Sequence, residues 1–250
     1  MALLYFVVFG ACFYAQSSLW ESLFHEYFLD VRPRSRITRF RQRPWLRDIW
    51  FGAFSHGTLH HYLTFRGGYT CQFTSIVEKR ALLERLSANL TPSELKAAVS
   101  AQFGNSLTWF STRYFGFPVY MNLLWLLVAP GPPEAAAILL ADLAFATPYL
   151  FLSKYAHPFL HETYESAIAR APVILRMLLR SRYGLAMRVS HFLHHRSPDR
   201  NFNLQIGADL PRGRWLRPTE LDWADMLRIG LILPEHRQAL QSRPVMWHSF

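Results

Sequence analysis

Thiols and acids are the scarce groups in this chain. Cys12 and Cys71 are the only cysteines in 250 residues. That is too few for a disulfide framework, and both fall in or near apolar stretches, where they are read as small hydrophobes. A haem-attachment motif, a dinucleotide-binding glycine fingerprint and a cysteine cluster are missing as well, so electrons for any redox chemistry come from another molecule. There is no internal repeat and no low-complexity tract. Asp and Glu number 17 against 27 Lys and Arg, for a net charge of +10. No nucleic-acid-binding motif accompanies that excess, and nucleic acid is excluded as a partner.

What the chain has in abundance is apolar surface. Hydrophobic residues make up 51% and aromatics 16%, against 18% charged, more than an ordinary soluble domain needs. They are gathered into runs. Residues 2–20 carry no charge, and that many helical residues reach roughly 28 Å at about 1.5 Å each, close to the hydrocarbon thickness. The stretch lacks the basic start and small-residue cleavage site of a secretory signal, so an anchor is expected. Arg32, Arg34, Arg36, Arg39, Arg41, Arg43 and Arg47 follow, the bias of a cytoplasmic flank. Further spans are expected at about 107–129 and 134–152, separated by Pro130-Gly131-Pro132-Pro133, a strong helix breaker. Asp142 and Pro148 inside the last run are costly in lipid, so their face is expected to meet protein. The aromatic-rich stretch 45–65 is expected to be an interfacial or re-entrant helix. Thr91-Pro92-Ser93-Glu94 reads as a helix start, and 163–195 as a long basic helix interrupted near Gly184. The expected fold class is all-α: a single domain of three to four membrane helices with a cytosolic helical cap.

The histidines carry the chemistry. Of eleven, nine fall in four clusters: His25; His56, His60 and His61; His157 and His161; His191, His194 and His195. Residues three or four apart share a helix face, so His56 aligns with His60, His157 with His161, and the last three form one patch. Neutral imidazoles are common nitrogen ligands of iron, zinc and copper. A zinc site needs only three or four protein ligands, so nine point to two metals. In the expected topology every cluster falls on the inner side. Lone histidines such as His236 and His248 are more often surface or core residues and are given no metal role.

The late cluster His191-Phe192-Leu193-His194-His195, followed by Arg200-Asn201-Phe202-Asn203, resembles the late histidine box of the membrane fatty acid hydroxylase / sterol desaturase superfamily. The clusters at His56–His61 and His157–His161 resemble its other boxes, the former with one extra residue before the paired histidines. The first box has His25 alone. Asp30 stands where a second histidine is usual and is a candidate oxygen ligand. Glu21 is a candidate for hydrogen-bonding to the His25 ring, and Asn201 is a further candidate beside the metals. The resemblance implies a four-helix membrane scaffold holding two irons and an O2-dependent hydroxylase acting on a lipid-like substrate. It further implies that a separate electron-transfer protein supplies the electrons. The alternatives are a desaturase on the same scaffold and a membrane zinc-dependent lipid hydrolase.

Overall fold

The computed structural model describes residues 1–29, 38–44, 46–64, 69, 76–95, 117–201 and 203–242. Asp30, the arginines at 32, 34 and 36, Trp45, Phe65, Cys71, residues 107–116, Phe202 and His248 lie outside the described residues. Within them the protein is helical throughout, with no strand.

The first apolar run forms α1, Ala2–Leu29, whose last turn, His25–Leu29, widens to π geometry. Among the described residues it is the one helix long and apolar enough to cross a membrane. α2 starts as Arg47–Ala53 and continues as a π-helix over Phe54–Thr64, within the stretch expected to be interfacial. α3 is Ile76–Ser87. After it, the expected helix start at Thr91 is present: Glu94 accepts the Thr91 N–H at 2.8 Å, and its own N–H reaches the Thr91 hydroxyl at 3.4 Å. Glu94 also pairs with Arg41 and Arg47, each at 3.1 Å, fastening the basic segment before α2 to this turn.

α4 runs over Phe117–Asn122 and continues as a 3-10 helix to Val128. After the proline-rich turn, α5 starts at Pro132 and stays helical to Leu160, alternating α and π segments. One π segment, Asp142–Ala146, ends two residues before Pro148, which has no N–H to donate. Asp142 is buried and accepts the Asn122 amide at 2.7 Å, so this acid meets protein as expected. Pro148 does not: it is exposed.

α1, α4 and α5 pack through Phe13, Ile138, Ala141 and Ala146, with Phe6, Phe9, Val119, Leu126 and Phe145 around them. The approach is close at Gly10, where a Cβ would lie 2.6 Å from the Phe145 ring. Outside this contact the three helices present Leu3, Leu4, Val7, Val8, Leu127, Leu140 and Leu143, all exposed. Exposed apolar surface of this kind marks a contact with protein, ligand or membrane.

The segment expected as one helix with a break near Gly184 is three helices: α6 (Tyr164–Arg170), α7 (Val173–Arg180) and α8 (Arg182–Arg196). The breaks fall at Pro172 and Ser181. Ser181 caps α8 by accepting the Gly184 N–H at 3.1 Å. Gly184 is not the break but permits it, since a Cβ there would sit 2.2 Å from the Leu178 carbonyl oxygen. α9 (Glu220–Arg228), opened by a Thr219–Asp222 capping box, and α10 (Pro234–Gln241) pack on α8. The core between them holds Leu185, Val189, Phe192, Trp223, Met226 and Leu231.

Candidate metal centre

Four helices deliver the nine histidines to one place. α1 and α5 end side by side, bringing in His25 and the pair His157 and His161. α2 contributes His56, His60 and His61, and α8 His191, His194 and His195. The rings interlock: His61 stacks on His195 with centroids 4.1 Å apart, and His60 lies 4.8 Å from each of His157, His161 and His195.

Two groups can each hold a metal ion. His60, His157, His161, His191 and His195 form one; His25, His56 and His194 form the other, and within each group the ligand nitrogens lie within 4.8 Å of one another. His61 adjoins the second group, its Nε2 being 3.1 Å from that of His56. In the five-histidine group, Nε2–Nε2 separations are 2.9 Å for His157–His191, 3.0 Å for His161–His191 and 3.1 Å for His60–His195. Two nitrogens at right angles on one ion, with bonds of about 2.1 Å, stand about 3.0 Å apart. The residues present therefore fit metal ions.

The electrostatics favour the ligand state. Burial, reinforced by the positive charge neighbouring rings would carry, holds His60, His157, His191 and His195 well below the usual histidine range. Burial likewise lowers His161 to about 3, although its bond to the Tyr69 carbonyl opposes the shift. Rings that stay neutral at pH 7 keep a lone pair for a metal.

Backbone carbonyls orient two of the rings. His161 Nδ1 donates to the Tyr69 carbonyl at 3.2 Å and His194 Nδ1 to the Arg200 carbonyl at 2.8 Å, which leaves Nε2 as the ligand atom in each. Tyr69 is buried, has φ of 63°, and packs its ring against His161, His191 and His195. Its one signal in the sequence is the Gly67-Gly68 pair before it. Sequence reasoning also missed Arg188, fully buried on α8, whose guanidinium donates to the Phe159, Glu162 and Leu231 carbonyls and clamps the end of α5 that bears His161.

The remaining candidates have other work. Glu21, fully buried, accepts the Leu204 N–H at 3.1 Å, the Gln205 N–H at 2.9 Å and the Asn203 amide at 3.3 Å. It thereby ties α1 to the loop after α8. Asp209 locks the same loop by accepting from the Ser22 hydroxyl and the Asn203 N–H. The Asn201 side chain is engaged with Leu216. It takes the Leu216 N–H at 2.6 Å and returns a bond to the Leu216 carbonyl, from a left-handed backbone at φ 53° that asparagine tolerates well. Its contribution is to hold the turn that presents the Arg200 carbonyl to His194. His236 is structural, as expected: its Nδ1 accepts the Leu233 N–H, and its ring lies on Tyr164.

Fold and site together define a class: an all-helical protein in which apolar helices end in a buried, all-imidazole cage able to hold metal. No protein-family model, curated protein or solved structure compared with the chain matches it.

Proposed function

We propose that this protein is an integral membrane oxygenase that holds two irons and hydroxylates a lipid-like substrate. The observation that carries the reading is the pair of adjoining groups of buried imidazole nitrogens. One iron is assigned to His60, His157, His161, His191 and His195, the other to His25, His56 and His194 with His61 beside them. Bound there, two irons supply the O2-dependent oxidation of an unactivated C–H bond. The likeness of the histidine clusters to the membrane fatty acid hydroxylase / sterol desaturase superfamily supports the same choice over a single zinc ion.

The chain's own residues have four tasks. The five histidines of the first group offer neutral nitrogen donors held in place before any metal arrives. Tyr69 and Arg200 fix two of them through backbone carbonyls. Packing of α1, α2, α5 and α8 around the rings keeps bulk water away, which protects an oxidant from quenching. In the fourth task, α1, α4 and α5 place the cage at the membrane surface, where a lipid-like substrate enters sideways. In this topology α1 crosses with its N-terminus outside, the helices within 107–129 and 134–152 cross out and back, and the cage lies on the cytoplasmic side. Electrons come from a separate carrier protein docking on the basic inner face.

The test is metal analysis and turnover of protein purified in detergent. The reading expects two irons per chain and O2 consumption coupled to a product heavier by one oxygen. Loss of two hydrogens instead identifies a desaturase on the same scaffold. Full activity with zinc alone, or anaerobic cleavage of a lipid ester or amide, refutes the oxygenase.

A further inference from the structure

α7 is a short helix with three distinct faces. Leu175 and Leu179, one turn apart, are buried against Leu152, Ala156 and Leu160 at the end of α5. Val173, Ile174 and Met177 occupy the opposite arc and are 68%, 76% and 69% exposed. Arg176 and Arg180, also one turn apart, lie along one border of the exposed apolar arc, Arg180 exposed and Arg176 donating to the Ala171 carbonyl at 3.0 Å, and α7 carries no acid. A helix that buries one stripe, bares a second apolar stripe and edges it with arginine is made for an apolar–polar boundary.

Its position agrees. In the proposed topology α5 leaves the hydrocarbon near Leu152 to Ala156, and those are the residues against which α7 packs. The apolar arc of α7 is thus carried by the end of α5, at the level where, in that topology, lipid headgroups begin.

We infer that α7 is a membrane-surface helix: Val173, Ile174 and Met177 dip into the acyl boundary of the inner leaflet while Arg180 engages anionic phosphate headgroups. The inference rests on the membrane reading of α1 and α5 but not on the metal or the reaction. It gives α7 a role for the enzyme too. His157 follows Ala156 directly, so the depth at which α7 rests sets the depth of the cage.

The test uses full-length, metal-loaded protein with Cys12→Ser and Cys71→Ser, reconstituted in vesicles of phosphatidylcholine with one third phosphatidylglycerol. Nitroxides are attached at single cysteines replacing Ile174, Met177, Leu140 on α5 or Leu221 on α9, the last two exposed in the structure. Collision with oxygen reports lipid, and collision with a water-soluble nickel chelate reports solvent. The expected oxygen-to-nickel ratio at Ile174→Cys and Met177→Cys is at least about threefold that at Leu221→Cys and approaches that at Leu140→Cys. Arg180→Gln, or vesicles of phosphatidylcholine alone, should move Ile174→Cys toward solvent; an unchanged ratio in both overturns the headgroup contact. Ratios at Ile174→Cys and Met177→Cys equal to Leu221→Cys, with Leu140→Cys in lipid, overturn the surface role of α7 and leave the membrane reading standing. Leu140→Cys in water overturns both, whatever the iron content.

Discussion

Glu21 offers the most discriminating substitution in the molecule. Its buried carboxylate is the acceptor for two backbone N–H groups and one amide of the loop 203–205. Glu21→Ala strands those donors away from water, and each buried unsatisfied donor costs about 1–3 kcal/mol. Removing Glu21 also relieves its repulsion with the buried Asp209 of that loop, which returns part of the cost. The net expectation is a loss of about 3–4 kcal/mol, a large fraction of a typical folding stability. Glu21→Gln keeps one acceptor oxygen but turns an NH2 toward a donor, so its loss is smaller, about 1–2 kcal/mol. Denaturant unfolding in detergent measures the order: parent, then Gln, then Ala. The loop also carries the Arg200 carbonyl that fixes His194, so iron affinity should fall about 10–100-fold in Glu21→Ala. An alanine variant within about 1 kcal/mol of the parent, or less destabilised than Gln, refutes this account of the loop.

Alanine at His60, His61, His194 or His195 is expected to abolish turnover while the protein still inserts in the membrane; retained activity removes that residue from the metal set. His60→Ala should empty mainly the five-histidine group and His194→Ala the three-histidine group, read as separate losses in iron content and Mössbauer spectra. In metal-free protein the folded pKa of His161, about 3, lies below its unfolded value near 6.5. The unfolded state therefore binds the extra proton. Stability from keeping this ring neutral is full above pH 6.5 and falls as pH drops toward 3, with a slope near 1.4 kcal/mol per pH unit for this one ring. Denaturation midpoints across that range measure it, and a flat profile contradicts the burial. Gly184→Ala pushes a Cβ into the Leu178 carbonyl, so a stability loss of about 2 kcal/mol or more is expected by thermal unfolding.

The amino-acid order alone determined the helical class, the apolar runs, the capping turn at Thr91 and which nine histidines gather. These are local signals: runs of apolar residues, caps, and spacing along one helix. An α-helical period aligns His56 with His60 and leaves the place of His61 to the tertiary structure. His60 and His61 are both drawn into the cage with His56 because α2 is π-helical from Phe54 to Thr64. Hydrogen bonds reaching five residues on place positions four and five apart on one face, which absorbs the extra residue in that box. Only packing of distant helices shows how the boxes divide. His191 and His195 of one box enter the five-histidine group and His194 the other, while His56 parts from His60 in the same manner. The roles of Glu21, Tyr69 and Arg200 were likewise beyond local pattern. Each acts through a hydrogen bond to or from the main chain, and main-chain groups carry no residue signature; only the meeting of segments far apart in the chain, or folded back on themselves, makes them partners.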